Sequence, residues 1–266
     1  MDARAANAGA ASGSGGASPV GHVPSVGGPI GTGVHTEPRG GDHPARSLPV
    51  TVVLLGGGGH AVVVAEAALL SGHRVQGFLD DNPAAPLGAI LIDLPHPFAT
   101  PRFLGPLSEH GVDRVGEHDW IVAIGDLGAR RKLLSRVQQQ VHAGVITGRA
   151  RTVVHPAAIV SPSALMGAGV WAGPGAIVHA RARVGAHATI NSGAIVEHDC
   201  VIGENAHVAP GAVLGGSCHV ERDVLIGLGA RVMPGLKVGR GAVVGAGAVV
   251  CGDVKEGVTV VGVPAR

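Results

Sequence analysis

The chain has 266 residues, of which 45 are glycine and only 2% are aromatic, so its core must be built from small and β-branched aliphatic side chains. Lys and Arg together number 20 against 19 Asp and Glu, and no basic stripe is present, which excludes nucleic acid as an expected partner. The apolar runs are shorter than the ~18 residues that a membrane span needs. The N-terminus lacks the charged start and apolar block of a signal peptide, and three cysteines do not make a disulfide framework. We therefore expect a soluble, cytoplasmic protein without a membrane span.

Residues 1–49 are rich in Gly, Ala, Ser and Pro and contain no aromatic residue. They show no hydrophobic periodicity, and a segment that cannot bury apolar surface stays disordered. The sequence predicts a disordered tail over this stretch.

Residues 50–150 alternate between strand and helix patterns, which favours a small parallel sheet in an α/β domain. The second predicted helix should carry Arg130, Arg131, Lys132 and Arg136 on its outer side. Strands are predicted at Val52–Leu55, Val75–Leu79, Ile121–Ile124 and near Ala89–Ile92, and helices at Ala61–Leu70 and Leu127 to about Val141.

Residues 151–266 repeat with a period of six. Every sixth residue from Val160 to Val250 is apolar, a small residue, mostly Ala, recurs four positions later, and Gly often follows the aliphatic residue. This period fits a short strand and a tight turn, with one large and one small side chain pointing inward in each unit. Three units close a triangular coil, so we predict a parallel β-helix of about five coils, and the hexapeptide pattern is typical of the left-handed kind.

Two cysteines fall in phase with the small inward positions. Cys200 and Cys218 are 18 residues apart, which is one coil. They are predicted to stack in the core as small apolar residues rather than to form a disulfide.

The same 18-residue spacing indicates one histidine as a candidate catalytic residue. His198 follows the inward Val196 by two residues, so it should lie near a turn and point outward, with Gly216 stacked beside it one coil later. The neighbouring Asp199 can fix the tautomer of the ring and raise its basicity. His207 lies half a coil away on a different face, so only an oligomer, such as a trimer, could bring the two histidines together. Most of the 15 histidines are expected to be plain surface residues.

A glycine-rich turn follows the first predicted strand. The run Gly56–Ala61 would present free N–H groups and the positive end of a helix dipole, which suits a phosphate. It also fits a dinucleotide fingerprint, but residues 50–150 are too few for a full dinucleotide domain. Asp80 and Asp81 end the next strand, where carboxylates can bind sugar or ribose hydroxyls. A purely structural turn without a ligand remains the alternative.

Several motifs together carry a family resemblance that covers about residues 51–266. They are Leu55–His60, Phe78–Asp81, Ala123–Asp126 followed by Arg130, Glu197–Asp199, and the closing Val261–Ala265. With these motifs the chain resembles the sugar acetyltransferases of the sialic acid O-acetyltransferase and bacillosamine-pathway type. The resemblance implies a small Rossmann-like nucleotide-sugar-binding domain over 50–150, a left-handed β-helix over 151–266, and a homotrimer.

The resemblance also implies roles for individual residues. His198 matches the catalytic base and Asp199 a carboxylate that strengthens it. The matches to acetyl-coenzyme A contacts are His207, Leu228 and Ala246, and we add the backbone N–H of Gly216 as the group that would stabilise the oxyanion. The matches to nucleotide-sugar contacts are Gly58, Gly59, His60, Asp80, Asp81 and Gly125. Ala246 stands where some members have Gly, which still suits a main-chain contact.

We therefore predict an acetyl-coenzyme A-dependent N-acetyltransferase that acts on a nucleotide-linked amino sugar. We expect a 4-amino sugar as the acceptor, direct transfer, His198 as the general base, and no metal. The first alternative is an O-acetyltransferase acting on sialic acid or a polysaccharide hydroxyl, because the same base would serve. Two others stay open: a γ-type carbonic anhydrase with zinc on His198, His207 and His219, which would leave the nucleotide-like domain unexplained, and a scaffold without catalysis.

Overall fold

The computed structural model describes residues 50–90, 101–108 and 111–266. The predicted tail over 1–49 lies outside the described residues.

The N-terminal part is a small α/β unit built on a parallel sheet with strand order β3-β2-β1-β4. A 3-10 helix, Val112–Val115, precedes β4. The strands are β1 (Thr51–Leu55), β2 (Arg74–Leu79), β3 (Arg102–Gly105) and β4 (Asp119–Val122), and the helices are α1 (Gly59–Leu70), α2 (Leu87–Ile90) and α3 (Leu127–His142).

The three main strands and both long helices are confirmed, but the prediction of a strand near Ala89–Ile92 is wrong where the structure describes it. Residues 87–90 form the short helix α2, whereas 91 and 92 lie outside the described residues. The fourth strand is β3, where Phe103 pairs with Phe78 of β2. The proline-rich composition around β3 hid its strand pattern, so its pairing with β2 was not predicted from the sequence.

The prediction for the outer side of α3 is correct for Arg131 and Lys132 and wrong for Arg130, which is only 2% exposed. Arg130 is covered because this flank of the helix packs on the C-terminal part of the chain, where its Nη2 donates to the carbonyl of His187. Leu133 and Val137 face the α/β core.

The C-terminal part is a parallel solenoid of 18 short strands that form three flat sheets. Sheet 1 comprises β5 (Val153–Val154), β8 (Trp171–Ala172), β11 (Thr189–Ile190), β14 (His207–Val208), β17 (Leu225–Ile226), β20 (Val243–Val244) and β22 (Thr259–Val260). Sheet 2 comprises β6 (Ile159–Val160), β9 (Ile177–Val178), β12 (Ile195–Val196), β15 (Val213–Leu214), β18 (Arg231–Val232) and β21 (Val249–Val250). Sheet 3 comprises β7 (Leu165–Met166), β10 (Arg183–Val184), β13 (Val201–Ile202), β16 (His219–Val220) and β19 (Lys237–Val238).

Each strand pairs in parallel with the strand one coil later, so residues 18 apart stack; Ile195, for example, pairs with both Ile177 and Val213. The second residue of nearly every strand enters the apolar core together with the small residue four positions on. This is the predicted left-handed β-helix of hexapeptide repeats. It has about six coils rather than five, because β5 and β22 extend the repeat at both ends. The last coil is shorter, since Val244 pairs with Val260.

The two in-phase cysteines are buried and free, as predicted. The thiol of Cys200 donates to the carbonyl of Gly215 at 3.1 Å, and that of Cys218 to the carbonyl of Met233 at 3.2 Å. Both thiols therefore fill the space of an inward alanine and use a neighbouring turn carbonyl as acceptor.

The α/β unit packs on sheet 1 of the solenoid. Trp171 and Val153 on the outer face of this sheet join the apolar cluster that contains the buried face of α1. At the end of α1, the hydroxyl of Ser71 donates to the carbonyl of Val154 at 2.7 Å. Sheet 1 is thus the covered face, and it brings the carboxyl edge of the α/β sheet next to the solenoid.

In the described parts of the chain, no helix combines the length and apolarity that crossing a membrane requires.

Candidate active site

His198 lies in the turn between sheets 2 and 3, and its side chain is 56% exposed, so it points outward as predicted. Its Nδ1 is 2.8 Å from Oδ2 of Asp199. Since an ionised carboxylate only accepts hydrogen bonds, Nδ1 carries the proton and the lone pair on Nε2 is free.

Gly216 stacks directly beside this ring. A Cβ atom at this position would lie 2.7 Å from both Cε1 and Nε2 of His198, so only glycine leaves room for the imidazole. Within the described residues, the N–H of Gly216 has no protein acceptor. An imidazole with a free nitrogen therefore lies against a glycine whose backbone N–H has no protein acceptor, which suits proton abstraction beside a developing oxyanion.

Arg181, which the sequence analysis did not single out, completes this group. Its Nε donates to Oδ1 of Asp199 at 2.6 Å and its Nη2 donates to Oδ2 at 2.7 Å. The hydrogen bonds from Arg181, followed by that from His198, hold the pKa of Asp199 well below its usual range. The spacing of 18 residues between Arg181 and Asp199 is the signal that could have found it.

Leu228 and Ala246 stack on each other at a different edge, between sheets 1 and 2, where the N–H of Gly247 donates to the carbonyl of Leu228 at 2.7 Å. Leu228 is 58% exposed. Within one chain, the face of sheet 2 separates these two residues from His198. One chain therefore does not bring all the predicted transfer residues together.

The predicted nucleotide-sugar contacts gather at the carboxyl edge of the α/β sheet, around the ends of β1, β2 and β4. Gly58 is the N-cap of α1 and receives no side-chain cap. A Cβ atom at Gly58, Gly59 or Gly125 would meet nothing within 4 Å, so these glycines border open space. The edge lies where the order of the sheet reverses between β1 and β4, which is the usual place for a ligand in such sheets.

The two aspartates at this edge already have backbone partners. Oδ2 of Asp80 accepts from the N–H of Gly57 at 2.7 Å, and its Oδ1 accepts from the N–H of Asn82 at 2.8 Å. Asp81 accepts from the N–H of Leu107 at 2.8 Å. Asp80 therefore holds the glycine-rich turn in shape, a role that the sequence analysis did not foresee.

His207 lies on sheet 1 rather than near His198, as the half-coil spacing predicts, and it is only 9% exposed. Its Nε2 is 3.1 Å from Nδ2 of Asn191. His60, at the start of α1, packs edge-on against Trp171 with a ring separation of 4.9 Å. The junction thus places a predicted coenzyme contact close to a predicted nucleotide-sugar contact.

Burial, together with a buried cation, keeps the histidines of this junction uncharged. Burial lowers the pKa of His60, His187 and His207 to about 4 each, and the Arg130 guanidinium contributes to the decrease in all three. Burial also lowers the pKa of Arg130 to about 10, although Asp223 opposes the shift. The three imidazoles are therefore neutral at physiological pH beside the charged side chain of Arg130.

A cavity of about 520 Å³ lies on the far flank of α3, against the edge between sheets 3 and 1. Two of its arginines are paired with carboxylates, Arg131 with Asp223 at 3.0 Å and Arg240 with Glu256. Its lining includes neither His198 nor Gly216, so it is separate from the predicted chemistry.

Across the described ranges, no three His, Cys, Asp or Glu side chains come together in a geometry that could hold a metal ion.

Three family models match the chain. Residues 51–137 match the PglD N-terminal domain, residues 181–216 match the bacterial transferase hexapeptide with six repeats, and residues 219–251 match the hexapeptide repeat of succinyl-transferase. No curated protein sequence matches the chain significantly.

Among solved structures, perosamine N-acetyltransferase from Caulobacter crescentus, in complex with CoA and GDP-perosamine, is 34% identical, with a TM-score of 0.70; the match covers 81% of this chain and 96% of that one. The chain belongs to the bacillosamine-pathway type of sugar acetyltransferases. It is therefore an acyltransferase.

Two further structures are similar to this chain. The acetyltransferase domain of PglB from Neisseria gonorrhoeae, in complex with acetyl coenzyme A, is 30% identical, with a TM-score of 0.70 and coverage of 82% of this chain and 98% of that one. WeeI from Acinetobacter baumannii is 24% identical, with a TM-score of 0.61 and coverage of 81% and 98%, and supports the fold alone.

Gly216→Ala should lower the turnover of this acyltransferase about tenfold or more, because the new Cβ atom displaces the His198 ring from its position. Turnover is measured as thiol release from acetyl-coenzyme A. Gly252→Ala is the matched control, since its Cβ atom would meet nothing within 4 Å. Wild-type turnover in Gly216→Ala would contradict this description of the site.

His187→Asn should weaken the pH dependence of stability. The folded-state pKa of His187, about 4, lies below the unfolded value of 6.5, so the unfolded chain takes up the proton first and stability falls as the pH drops from 6.5 towards 4. Each such histidine contributes up to about 3 kcal/mol to this loss. Asn tolerates the positive φ of 58° at this position.

The readout is the free energy of unfolding in urea at a series of pH values and a fixed protein concentration. His219→Asn, on the exposed face of sheet 3, is the control and should keep the wild-type slope. An unchanged slope in His187→Asn would contradict the buried, neutral state of this ring.

Proposed function

We propose that this acyltransferase is an acetyl-coenzyme A-dependent N-acetyltransferase that acts on the amino group of a nucleotide-linked amino sugar. The observation that carries the proposal is the pairing of His198 with Asp199 at 2.8 Å, in a ring position for which Gly216 leaves room. The relatives add support from their ligands, which are CoA with GDP-perosamine in one and acetyl coenzyme A in another. Variants of the Caulobacter enzyme in which one histidine is replaced also form complexes with CoA and GDP-perosamine.

In the proposed mechanism, Nε2 of His198 takes a proton from the sugar amine as the amine nitrogen attacks the thioester carbonyl carbon. Asp199 accepts a hydrogen bond from Nδ1 and stabilises the imidazolium that forms. The N–H of Gly216 donates to the carbonyl oxygen as it gains charge. When the tetrahedral intermediate collapses, the carbon–sulfur bond breaks and His198 returns its proton to the thiolate, which yields the acetamide and coenzyme A.

The nucleotide-sugar would bind at the carboxyl edge of the α/β sheet. Gly58 and Gly59 would present N–H groups and the N-terminus of α1 to its phosphates. The open space at Gly125 and the ring of His60 border the same edge. The second oxygen of Asp81 would accept a hydrogen bond from a hydroxyl group of the ligand, because its Oδ1 already accepts from the N–H of Leu107.

A homotrimer would complete the site. Sheet 2 exposes an aliphatic row at its outward positions, interrupted by one arginine, whereas sheet 1 is covered by the α/β unit. The residues of this row are Ile159, Ile177, Ile195, Val213 and Val249. Because His198 borders sheet 2 at one edge and Leu228 borders it at the other, packing on this face would bring the base of one subunit to the coenzyme edge of the next.

We place the reaction in the cytoplasm, and the free thiols of Cys200 and Cys218 agree with a reducing compartment. The acetylated nucleotide-sugar would then be a donor for glycan biosynthesis.

His198→Asn should lower turnover by about a hundredfold to ten-thousandfold, because it removes the group that is proposed to take the amine proton. His219→Asn is the control, since it removes an exposed imidazole from the same solenoid. The substrates to compare are UDP-, dTDP- and GDP-linked 4-amino sugars and free sialic acid. Turnover retained in His198→Asn would exclude this residue as the base, and acetylation of sialic acid alone would replace the proposal with O-acetyl transfer.

Ile195→Asp should dissociate the proposed trimer, because it buries a charge in an apolar contact between subunits. Size-exclusion chromatography with light scattering gives the mass, and circular dichroism checks the fold. Val141→Asp, an exposed position on α3, is the matched control and should remain trimeric. A wild-type protein that is monomeric and fully active would contradict the shared site.

A further inference from the structure

We infer that Arg181 is a positioning residue for the reaction: it clamps the carboxylate of Asp199 and through it fixes the orientation of His198. The inference rests on the proposed role of His198 as the base. It adds a residue that neither the sequence motifs nor the resemblance singled out.

The clamp is bidentate. Both oxygens of Asp199 accept from the guanidinium of Arg181, at 2.6 and 2.7 Å, and Oδ2 also accepts from Nδ1 of His198 at 2.8 Å. Two parallel hydrogen bonds from a planar fork fix the plane of a carboxylate as well as its position. The direction of the remaining lone pair on Oδ2, and with it the plane of the imidazole, is therefore set by Arg181.

The solenoid builds this contact from backbone geometry. Arg181 and Asp199 occupy the same turn position in successive coils, and both have positive φ, at 59° and 61°. The N–H of Asp199 donates to the carbonyl of Ala180 at 3.1 Å, which ties the two turns together. One coil earlier, the hydroxyl oxygen of Ser163 accepts from the N–H of Arg181 at 3.1 Å. The backbone of the arginine is thus held from both sides, and its side chain needs to reach only the next coil.

Among the charged groups around His198, Arg181 is the cation that contacts Asp199. Glu197 accepts from the N–H of His198 at 3.3 Å, and its other oxygen lies 3.7 Å from Nε2 of His179. Within the described residues, Arg181 is the only guanidinium in contact with Asp199. Its positive charge balances the negative charge of the carboxylate, which still accepts the hydrogen bond from the ring.

Two separable effects follow. The fork keeps Nδ1 protonated and Nε2 free in one orientation, which raises the fraction of productive encounters. The positive charge also balances the negative charge of Asp199 next to the ring, so its loss would leave that carboxylate uncompensated. Arg181 thus combines a geometric role with an electrostatic one.

The test compares Arg181→Gln, which removes both the fork and the charge, with Arg181→Lys, which keeps the charge alone. We expect kcat to fall about tenfold to a hundredfold in both variants, because the carboxylate loses its fixed plane. In Arg181→Gln, the acid limb of kcat/KM should also move to higher pH by about half a unit to one unit, whereas in Arg181→Lys it should stay near that of wild type.

Arg183→Gln is the matched control. Arg183 is an exposed arginine two residues away on the face of sheet 3, it has no contact with Asp199, and its loss removes the same amount of charge from this part of the solenoid. We expect it to leave kcat and the acid limb unchanged. An equal displacement of the limb in Arg183→Gln, or a wild-type limb in Arg181→Gln, would overturn the inference.

A second readout does not need turnover. The ring-proton NMR signal of His198 is assigned by its disappearance in His198→Asn, and its titration is then followed in Arg181→Gln, where it should move to higher pH in parallel with the limb. If His198→Asn remains active, the proposed base is wrong, whereas the NMR titration still decides whether Arg181 sets the charge of this ring. Circular dichroism checks the fold of each variant.

Discussion

Parallel pairing of each short strand with the strand one coil later is the interaction on which the rest of this molecule depends. It stacks every side chain on its equivalents 18 residues before and after, as in the pairing of Ile195 with Ile177 and Val213. A slip of one residue would exchange the core and the surface along a whole strand. The same register sets Gly216 beside His198 and the fork of Arg181 over Asp199, so the stability of the solenoid and the geometry of the site have one origin.

The register also explains how the α/β unit is held. His187 and Asn205 occupy equivalent turns one coil apart, at the edge between sheets 3 and 1, and both face α3. Arg130 donates to the carbonyl of His187, and the amide of Asn205 lies 3.5 Å from the carbonyl of Leu127. Helix α3 therefore packs against a stack of equivalent turns, and main-chain carbonyl groups accept the hydrogen bonds between them. The docking buries a guanidinium among neutral imidazoles, which ties the stability of this junction to pH.

The solenoid could be predicted from the sequence because its period is strict and its contacts repeat. One inward position, such as Val196, determines the orientation of its neighbours, and the outward direction of His198 followed from it. The arrangement of the α/β unit was harder to predict from the sequence, since it depends on packing that no local sequence pattern encodes. Arginine is usually a surface residue, and Arg130 is buried only because the solenoid covers it. The spacing of 18 residues also stacks Arg181 on Asp199, but the spacing alone does not show that the long arginine side chain folds back onto the next coil.

The central claim is that the base and the coenzyme edge come from different subunits. Coexpression of two inactive variants, His198→Asn and Ala246→Trp, tests it directly through the turnover of the mixed trimers. A shared site predicts that about a quarter of the wild-type turnover returns, because random mixing at equal expression pairs an intact His198 with an intact Ala246 in that fraction of interfaces. Mixed trimers that stay inactive, in a preparation whose composition is verified by mass spectrometry, would contradict the claim.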